Sequence, residues 1–155
     1  MFSNNLVVDI LNYIENNLYK KISINELANL FHYNKDYIMR VFKKELGITI
    51  IDYINKKRIY NSLQAFKYND LSVLNISINY GFYSQEYFCE MFHKIVGVSP
   101  STYYNFVNFR NTVVEKDISL IQSNIAYLEY TFRKIDNYHN NIPPERSVKM
   151  LTIFK

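Results

Sequence analysis

Apolar residues recur every three or four positions along most of this chain, which is the spacing of one buried face of an α-helix. The first such stripe occupies residues 5 to 18, and a second, shorter one contains Leu27, Leu30 and Phe31. The sequence Ser23-Ile-Asn-Glu26 before the second stripe has the spacing of a capping box, in which serine and glutamate each satisfy a backbone N–H. The pattern therefore predicts one helix followed by a second, short helix.

Further helix starts and ends follow at regular intervals. Asn34 is placed to cap a third helix, and a longer helix without a breaker covers residues 50 to 68. Ser72 can cap a short helix and Ser84 the next one. Ser99-Pro100 places a cap before a proline at the first helical position, which predicts one more helix.

The chain contains an internal repeat. Residues 34–49 align without gaps onto residues 84–99, at a constant offset of 50 positions. Each copy follows a short amphipathic helix and a tight turn, so the repeated unit is a helix-turn-helix. The identical pairs are Tyr37 and Tyr87, Phe42 and Phe92, Lys44 and Lys94, and Gly47 and Gly97. We therefore predict an all-α fold of two tandem helix-turn-helix subdomains joined by a long linker helix.

Composition supports this fold and excludes several kinds of chemistry. Hydrophobic residues make up 48% of the 155, and only 3 Gly and 3 Pro are present, which suits long helices around a sizeable core. The single cysteine, Cys89, excludes a disulfide framework, and the three histidines show no metal-ligand spacing with it. Because glycine-rich phosphate loops, nucleophile elbows and paired carboxylates are also missing, we expect no metal, no cofactor and no enzymatic activity.

The sequence also indicates in which part of the cell the protein is expected. Its N-terminus does not resemble a signal peptide, and no stretch approaches the roughly 18 apolar residues that cross a membrane. We expect a soluble, cytoplasmic protein without a membrane segment.

Positive charge is concentrated in the first half of the chain. The formal net charge is +4, but residues 34–67 alone carry eight cations against three anions, a net of +5. Residues 72–104 carry one cation against two anions, a net of −1. A polyanionic partner would therefore be held mainly by the first half. The eight cations are Lys35, Arg40, Lys43, Lys44, Lys56, Lys57, Arg58 and Lys67.

Several segments of the chain resemble the sequence signature of a known protein family. The run Tyr80-Gly-Phe-Tyr-Ser-Gln-Glu-Tyr-Phe-Cys-Glu-Met-Phe-His-Lys-Ile-Val-Gly-Val-Ser-Pro-Ser-Thr-Tyr103 resembles the signature of the AraC/XylS transcription regulators: Gly-Phe, Ser, Tyr-Phe, Phe-Lys, Gly-x-Ser-Pro and Tyr. Arg40-Val-Phe-Lys-Lys-Glu-Leu-Gly47 and Lys57-Arg-Ile59 resemble the family's first recognition helix and the start of its linker helix. The resemblance covers about two thirds of the chain, from Ile10 to about Val107. It implies a seven-helix domain that places two recognition helices in successive major-groove segments of double-stranded DNA, with RNA polymerase as a further candidate partner.

The chain departs from the family pattern in ways that bear on DNA binding. Glu90 and Tyr104 occupy positions where the signature usually has arginine, so weaker DNA binding by the second unit is expected. His32 replaces the turn glycine of the first unit. Histidine tolerates a positive φ better than most residues, so we predict that His32 occupies the turn.

A recognition helix must bury one stripe and present the other to DNA. In the first unit Arg40 is the candidate base-reading residue, because a guanidinium can bond guanine O6 and N7 together. The lysines are candidate phosphate contacts, and Met39 offers an apolar contact to a thymine methyl. The alternative is an ordinary solvated helix face. The candidate residues are Asn34, Lys35, Asp36, Met39, Arg40, Lys43 and Lys44.

The second recognition helix presents a different chemistry. Its candidate residues are Ser84, Gln85, Glu86, Cys89 and Glu90. The two carboxylates are repelled by phosphate unless each accepts a hydrogen bond from a cytosine amino group. We hypothesise that the first unit supplies most of the affinity. The alternative is a protein-interaction regulator that keeps the fold but binds DNA weakly. The pattern places Cys89 on the exposed face, where it is either a redox switch or, as we favour, a small residue in place of serine.

Beyond Val107 the apolar positions are spaced alternately by four and three residues, which predicts an amphipathic helix from about Glu115 to Tyr138. Such a narrow stripe suits either a homodimer seam or a helix folded back onto the rest of the chain. The tail Val148, Met150, Thr152 and Phe154 alternates like a short strand, although an extended segment fits equally. The stripe begins at Val114, and the candidate seam residues are Ile118, Ile121, Ile125, Leu128, Phe132 and Ile135.

Two domains are therefore expected. Residues 1–107 form the DNA-binding domain, with the first helix-turn-helix at about 5–48, the linker at 50–68 and the second at 72–107. Residues 108–155 form a C-terminal helical extension and candidate dimerisation element. The extension is too short for a typical effector-sensing domain, so the chain resembles the family's stand-alone members or is a piece of something longer.

Overall fold

A computed structural model describes residues 2–67, 71–109 and 111–141, with side chains from Leu6 onward. These residues form helices and turns without a strand, which confirms the predicted all-α fold. The elements are α1 (Phe2–Asn16), α2 (Ile24–Phe31), α3 (Lys35–Leu46), α4 (Ile50–Ser62), a 3-10 helix (Leu63–Lys67), α5 (Val73–Asn79), α6 (Gln85–Val96), α7 (Pro100–Val107) and α8 (Glu115–Asn140).

The predicted caps begin the helices. Ser23 Oγ accepts a hydrogen bond from the Glu26 N–H at 3.0 Å, and Asn34 Oδ1 accepts one from the Asp36 N–H at 2.8 Å. Serine hydroxyls cap α5, α6 and α7 in the same way, at Ser72, Ser84 and Ser99. Each side chain satisfies a backbone donor that has no partner within its helix, which fixes where the helix starts.

The linker helix is shorter than predicted. The sequence predicts a helix over residues 50–68, whereas α4 ends at Ser62 and the chain continues as a 3-10 helix to Lys67. The Ser62 hydroxyl donates to the Ile59 carbonyl oxygen at 2.7 Å. Serine side chains that bond to the preceding turn compete with regular α-helical hydrogen bonding, which fits the change at this residue. Tyr68 lies outside the described residues.

The chain divides into two compact units, each containing one helix-turn-helix. The first unit holds α1 to α3, α4 as far as Ile54, and α8 from Thr131. The second holds α4 from Asn55, the 3-10 helix, α5 to α7, and α8 as far as Tyr130. Helix α8 thus contributes residues to both units.

Each unit has an aromatic core. In the first, Tyr53 is fully buried between Phe42, at a centroid distance of 6.0 Å, and Phe132 of α8, at 6.5 Å. The Tyr53 hydroxyl donates to Glu15 Oε1 at 2.7 Å, so this buried phenol has an acceptor. The second core joins residues of all its helices: Ile59, Phe66, Ile76, Phe88, Phe92, Tyr103 and Ile121.

The apolar stripe of α8 packs against the chain's own helices. Its buried members are Ile121, Leu128, Phe132 and Ile135. Ile118 and Ile125 are half-buried, whereas Val114 is exposed. Of the two alternatives for this stripe, the structure therefore has the fold-back arrangement, in which four of the six candidate seam residues are buried. The alternating positions 148–154 lie outside the described residues.

Candidate nucleic-acid interface

The first helix-turn-helix has a three-residue turn, residues 32–34, between α2 and α3. His32 adopts a left-handed conformation with φ of 60° and ψ of 40°, and its N–H donates to the Ala28 carbonyl oxygen. The predicted turn role of His32 is therefore confirmed. Histidine occupies a backbone conformation that is usually filled by glycine or asparagine at a helix end.

Helix α3 has a buried and an exposed face. Ile38, Val41 and Phe42 are buried, and Tyr37 is half-buried. The outward face carries the candidate residues Lys35, Asp36, Met39, Arg40, Lys43 and Lys44, all exposed. Asn34 is exposed as well, although its side-chain oxygen is engaged in the cap. We call the four exposed cations Lys35, Arg40, Lys43 and Lys44 the cationic face of α3.

Part of this face lines an open groove of about 470 Å³. Met39, Ile50 and Ile51 supply apolar groups, while Arg40, Lys43 and Lys44 bring cationic side chains to the same groove. Long basic side chains can expose charge while their methylene stems cover apolar surface. The groove therefore offers an apolar floor beside cations, a combination that suits a methyl group next to an anionic backbone.

The Arg40 guanidinium is held in place by an aromatic ring. Its Cζ atom lies 5.4 Å from the centroid of the Tyr37 ring. A guanidinium over a ring face is attracted by the ring's negative quadrupole, by about 0.5–1 kcal/mol at an exposed site. This contact restricts the side chain, so part of the ordering that binding requires is already present in the free protein.

Not all of the clustered positive charge is available to a partner. Lys57 is fully buried and Arg58 is 9% exposed, so the +5 segment overstates the accessible charge. Burial lowers the pKa of the Arg58 guanidinium from its usual value, and an interaction with Tyr87 partly opposes this. Lys56 is half-buried and lies 5.5 Å from the Tyr127 ring centroid. Within residues 34–67 the exposed cations are therefore Lys67 and those of α3.

Helix α6 repeats the geometry of α3 with different chemistry. Phe88, Phe92 and Val96 are buried, and the exposed residues include the candidates Gln85, Glu86 and Glu90 together with His93 and Lys94. Ser84 is half-buried and caps the helix. The turn before α6 has five residues, 80–84, and its left-handed residue is Gly81, at φ of 92°.

Cys89 is less accessible than the sequence predicts. It is half-buried on α6, not fully on the exposed face. Burial raises the pKa of its thiol, and the negative charge of Glu86 raises it further. Because the thiolate is the reactive form, both effects oppose a redox switch.

Two exposed tyrosines next to the recognition helices are not among the site residues predicted from the sequence. Tyr33 stacks on Tyr37, and Tyr83 stacks on Tyr87, in each case just before a recognition helix. A signal was present, because the 50-residue offset also relates Tyr33 to Tyr83, one position before the aligned segments begin.

The described residues contain no group of three His, Cys, Asp or Glu side chains that could hold a metal ion. In the same part of the chain, no helix combines the length and apolar character needed to cross a membrane.

A protein family described as a helix-turn-helix domain matches residues 27–105. Among curated proteins, the chain is similar to the HTH-type transcriptional activator AarP of Providencia stuartii. The two are 33% identical over 102 residues, covering 66% of this chain and 76% of AarP.

Solved structures show the same fold. The C-terminal domain of AraT, a response regulator from Geobacillus stearothermophilus, superposes with a TM-score of 0.61 at 26% identity, covering 65% of this chain and 84% of that domain. The DNA-binding domain of the global transcriptional factor AdpA, solved in complex with a target DNA, has a TM-score of 0.60 at 19% identity. That match covers 66% of this chain and 92% of the AdpA domain, and at this identity it shows the fold alone.

Proposed function

Since this chain belongs to the AraC-type helix-turn-helix family of DNA-binding transcription regulators, we propose that it places α3 and α6 in successive major-groove segments of its target, with α3 supplying most of the affinity. The observation that carries this proposal is the difference between the outward faces of the two helices. The cationic face of α3 has four exposed positive side chains, whereas the corresponding exposed positions of α6 are Gln85, Glu90, His93 and Lys94, with Glu86 exposed beside them.

Arg40 is the residue that we assign to base recognition. It is exposed near the middle of α3, and the Tyr37 ring steadies its guanidinium. From this position a guanidinium in the groove can bond guanine O6 and N7 together. Met39 lies in the same groove and offers an apolar contact to a thymine methyl.

The lysines of the cationic face are assigned to phosphates. Lys35, Lys43 and Lys44 are exposed, and such side chains neutralise phosphates without distinguishing bases. They therefore set the position of α3 on the duplex, while Arg40 supplies selectivity.

Under this proposal, helix α6 contributes to sequence selectivity more than to affinity. Glu86 and Glu90 are exposed, and a carboxylate in the major groove is stable only where it accepts a hydrogen bond from a base amino group such as cytosine N4. The second unit would then exclude many sequences by repulsion, which is a form of specificity that adds little affinity.

The same acidic face supports a second candidate function. A helix that exposes Glu86 and Glu90 can dock on a basic protein surface, with α3 alone on DNA. RNA polymerase is the partner we would test first, because a regulator bound near a promoter encounters it there.

A salt titration tests the proposed function. Sites are first selected from a random duplex pool, and the affinity of the full chain is then measured against salt concentration. Each neutralised phosphate contributes about −0.9 to the slope of log K against log salt, so the three phosphate-binding lysines of α3 predict a slope of about −2.7. A chain that binds no duplex at low ionic strength would contradict the proposal. Weak binding without sequence preference would favour the protein-docking alternative.

A further inference from the structure

The two recognition helices are preceded by the same aromatic arrangement. The rings of Tyr33 and Tyr37 are stacked with centroids 5.2 Å apart and planes 20° apart. The rings of Tyr83 and Tyr87 are stacked at 5.0 Å and 22°. In each pair the first tyrosine is the residue just before the helix cap, Asn34 or Ser84. We call these the tyrosine pairs.

The inner ring of the second pair is firmly anchored. The Tyr87 hydroxyl accepts a hydrogen bond from the amide of Asn55 at 2.8 Å. Its ring also packs against Phe82, with centroids 6.0 Å apart. The Tyr87 ring is therefore fixed in position, and the Tyr83 ring stacks on it. In the first pair, Tyr37 also carries the Arg40 guanidinium.

The outer ring of each pair faces solvent. Tyr83 is 83% exposed and Tyr33 is 42% exposed. Exposure of this kind costs hydrophobic stabilisation, yet stacking holds the ring in one orientation beside the first turn of its recognition helix. An exposed, oriented phenol at this place has the properties of a contact residue.

We propose that the hydroxyl groups of Tyr33 and Tyr83 donate hydrogen bonds to DNA phosphates beside each recognition helix. This inference rests on the proposed function and adds uncharged contacts to the α3 cations. Its main consequence concerns the second unit, because Tyr83 would attach α6 to the backbone despite the nearby Glu86 and Glu90. Phosphate oxygens commonly accept hydrogen bonds from tyrosine, and such contacts set position without reading sequence.

The occurrence of the same tyrosine pair in both helix-turn-helix units favours a phosphate over a base as the hydrogen-bond acceptor. The outward faces of α3 and α6 differ at the positions of Arg40 and Glu90, so the two helices recognise different bases. The tyrosine pairs, in contrast, are the same in identity, spacing and stacking. A feature that is shared while the recognition residues differ fits the part of DNA that does not vary with sequence.

The test compares Tyr83→Phe with the unchanged chain in a salt titration on the selected duplex. Phenylalanine keeps the ring and its stacking but removes the hydroxyl, so the fold is retained, which circular dichroism verifies. We expect affinity to fall about tenfold or more, the effect of losing one hydrogen bond to a charged acceptor, with the salt slope unchanged because no charge is removed. Lys43→Gln, in contrast, should make the slope less steep by about 0.9.

Tyr130→Phe is the matched control, because Tyr130 is also exposed, at 52%, but lies on α8. It should leave affinity unchanged, and Tyr33→Phe should behave like Tyr83→Phe. If Tyr83→Phe and Tyr33→Phe both bind as tightly as the unchanged chain while Lys43→Gln binds less tightly, the phosphate contacts are refuted and the proposed function stands. If the unchanged chain binds no duplex, both ideas are refuted.

Discussion

The side-chain amide of Asn124, in α8, donates a hydrogen bond to the main-chain carbonyl oxygen of Val96 at 2.8 Å. Val96 is the last residue of α6, where backbone carbonyls have no partner within the helix. Helix α8 therefore completes the end of the second recognition helix. The close approach depends on the next residue, Gly97, which has no side chain to separate the two helices.

The two helix-ending glycines should respond differently to alanine. Both have positive φ, +74° for Gly47 and +97° for Gly97, so each change introduces backbone strain of about 1–2 kcal/mol. A Cβ on Gly97 would also lie 2.6 Å from Asn124 Nδ2 and 2.7 Å from Leu120 Cγ, whereas one on Gly47 meets nothing within 4 Å. We expect Gly97→Ala to lower the free energy of unfolding by about 1–3 kcal/mol more than Gly47→Ala, measured by urea denaturation. Equal losses would show that α8 does not lie against α6 in solution.

Packing of α8 on the first unit makes a second prediction. Phe132 is 2% exposed and packs edge-to-face with Tyr53, so Phe132→Ala should lower the free energy of unfolding by about 3–5 kcal/mol. Arg133→Ala, at an exposed neighbouring position, should change it by less than about 0.5 kcal/mol. Light scattering gives the mass of each variant. If Phe132→Ala converts a dimer into a folded monomer of unchanged stability, the stripe is a dimer seam and the fold-back arrangement is wrong.

The unequal recognition helices make a third prediction. Arg40→Ala should weaken binding to the selected duplex by about tenfold to a hundredfold, because it removes the proposed bidentate base contact, worth about 1–3 kcal/mol. Glu90→Ala should have a much smaller effect, and Glu90→Arg should tighten binding by replacing repulsion with attraction. Fluorescence anisotropy at fixed salt measures all three. A larger loss from Glu90→Ala than from Arg40→Ala would contradict the dominance of the first unit.

Cys89 supplies a prediction about reactivity. Because the pKa of its thiol is raised, the thiolate fraction at about pH 8 should be lower in the folded chain than in the unfolded one. Alkylation by iodoacetamide should therefore be slower in buffer than in denaturant, and the single cysteine makes the total reaction easy to follow. Faster alkylation of the folded chain would reinstate the redox-switch hypothesis.

Local rules explain why much of the fold could be predicted. Helix starts at Ser23, Asn34, Ser72, Ser84 and Ser99 depend on one side chain and the next few backbone groups, so the sequence contains all the needed information. The turn at His32 is local in the same sense. The exposed face of α3 followed from helical spacing, because burying one stripe leaves the opposite positions in solvent.

The remaining features depend on contacts distant in sequence. The stripe of α8 has the same spacing whether its partner is another chain or its own, so periodicity alone left both alternatives open. The positively charged segment includes Lys57 and Arg58, although both are buried, because sequence does not show which side of α4 the core covers. The stacking of Tyr83 on Tyr87 depends on the conformation of a five-residue turn, which no local pattern specified.

The unequal turns have a practical consequence for engineering. The connection before α6 has two residues more than the one before α3. Both recognition helices have twelve residues, with a polar cap, a stacked pair of tyrosines and a terminal glycine at equivalent places. Grafting only the outward side chains of α3 onto α6 would thus preserve every supporting contact, whereas exchanging whole hairpins would alter their loop length. Under the proposed function, we therefore expect target preference to be transferable one helix at a time.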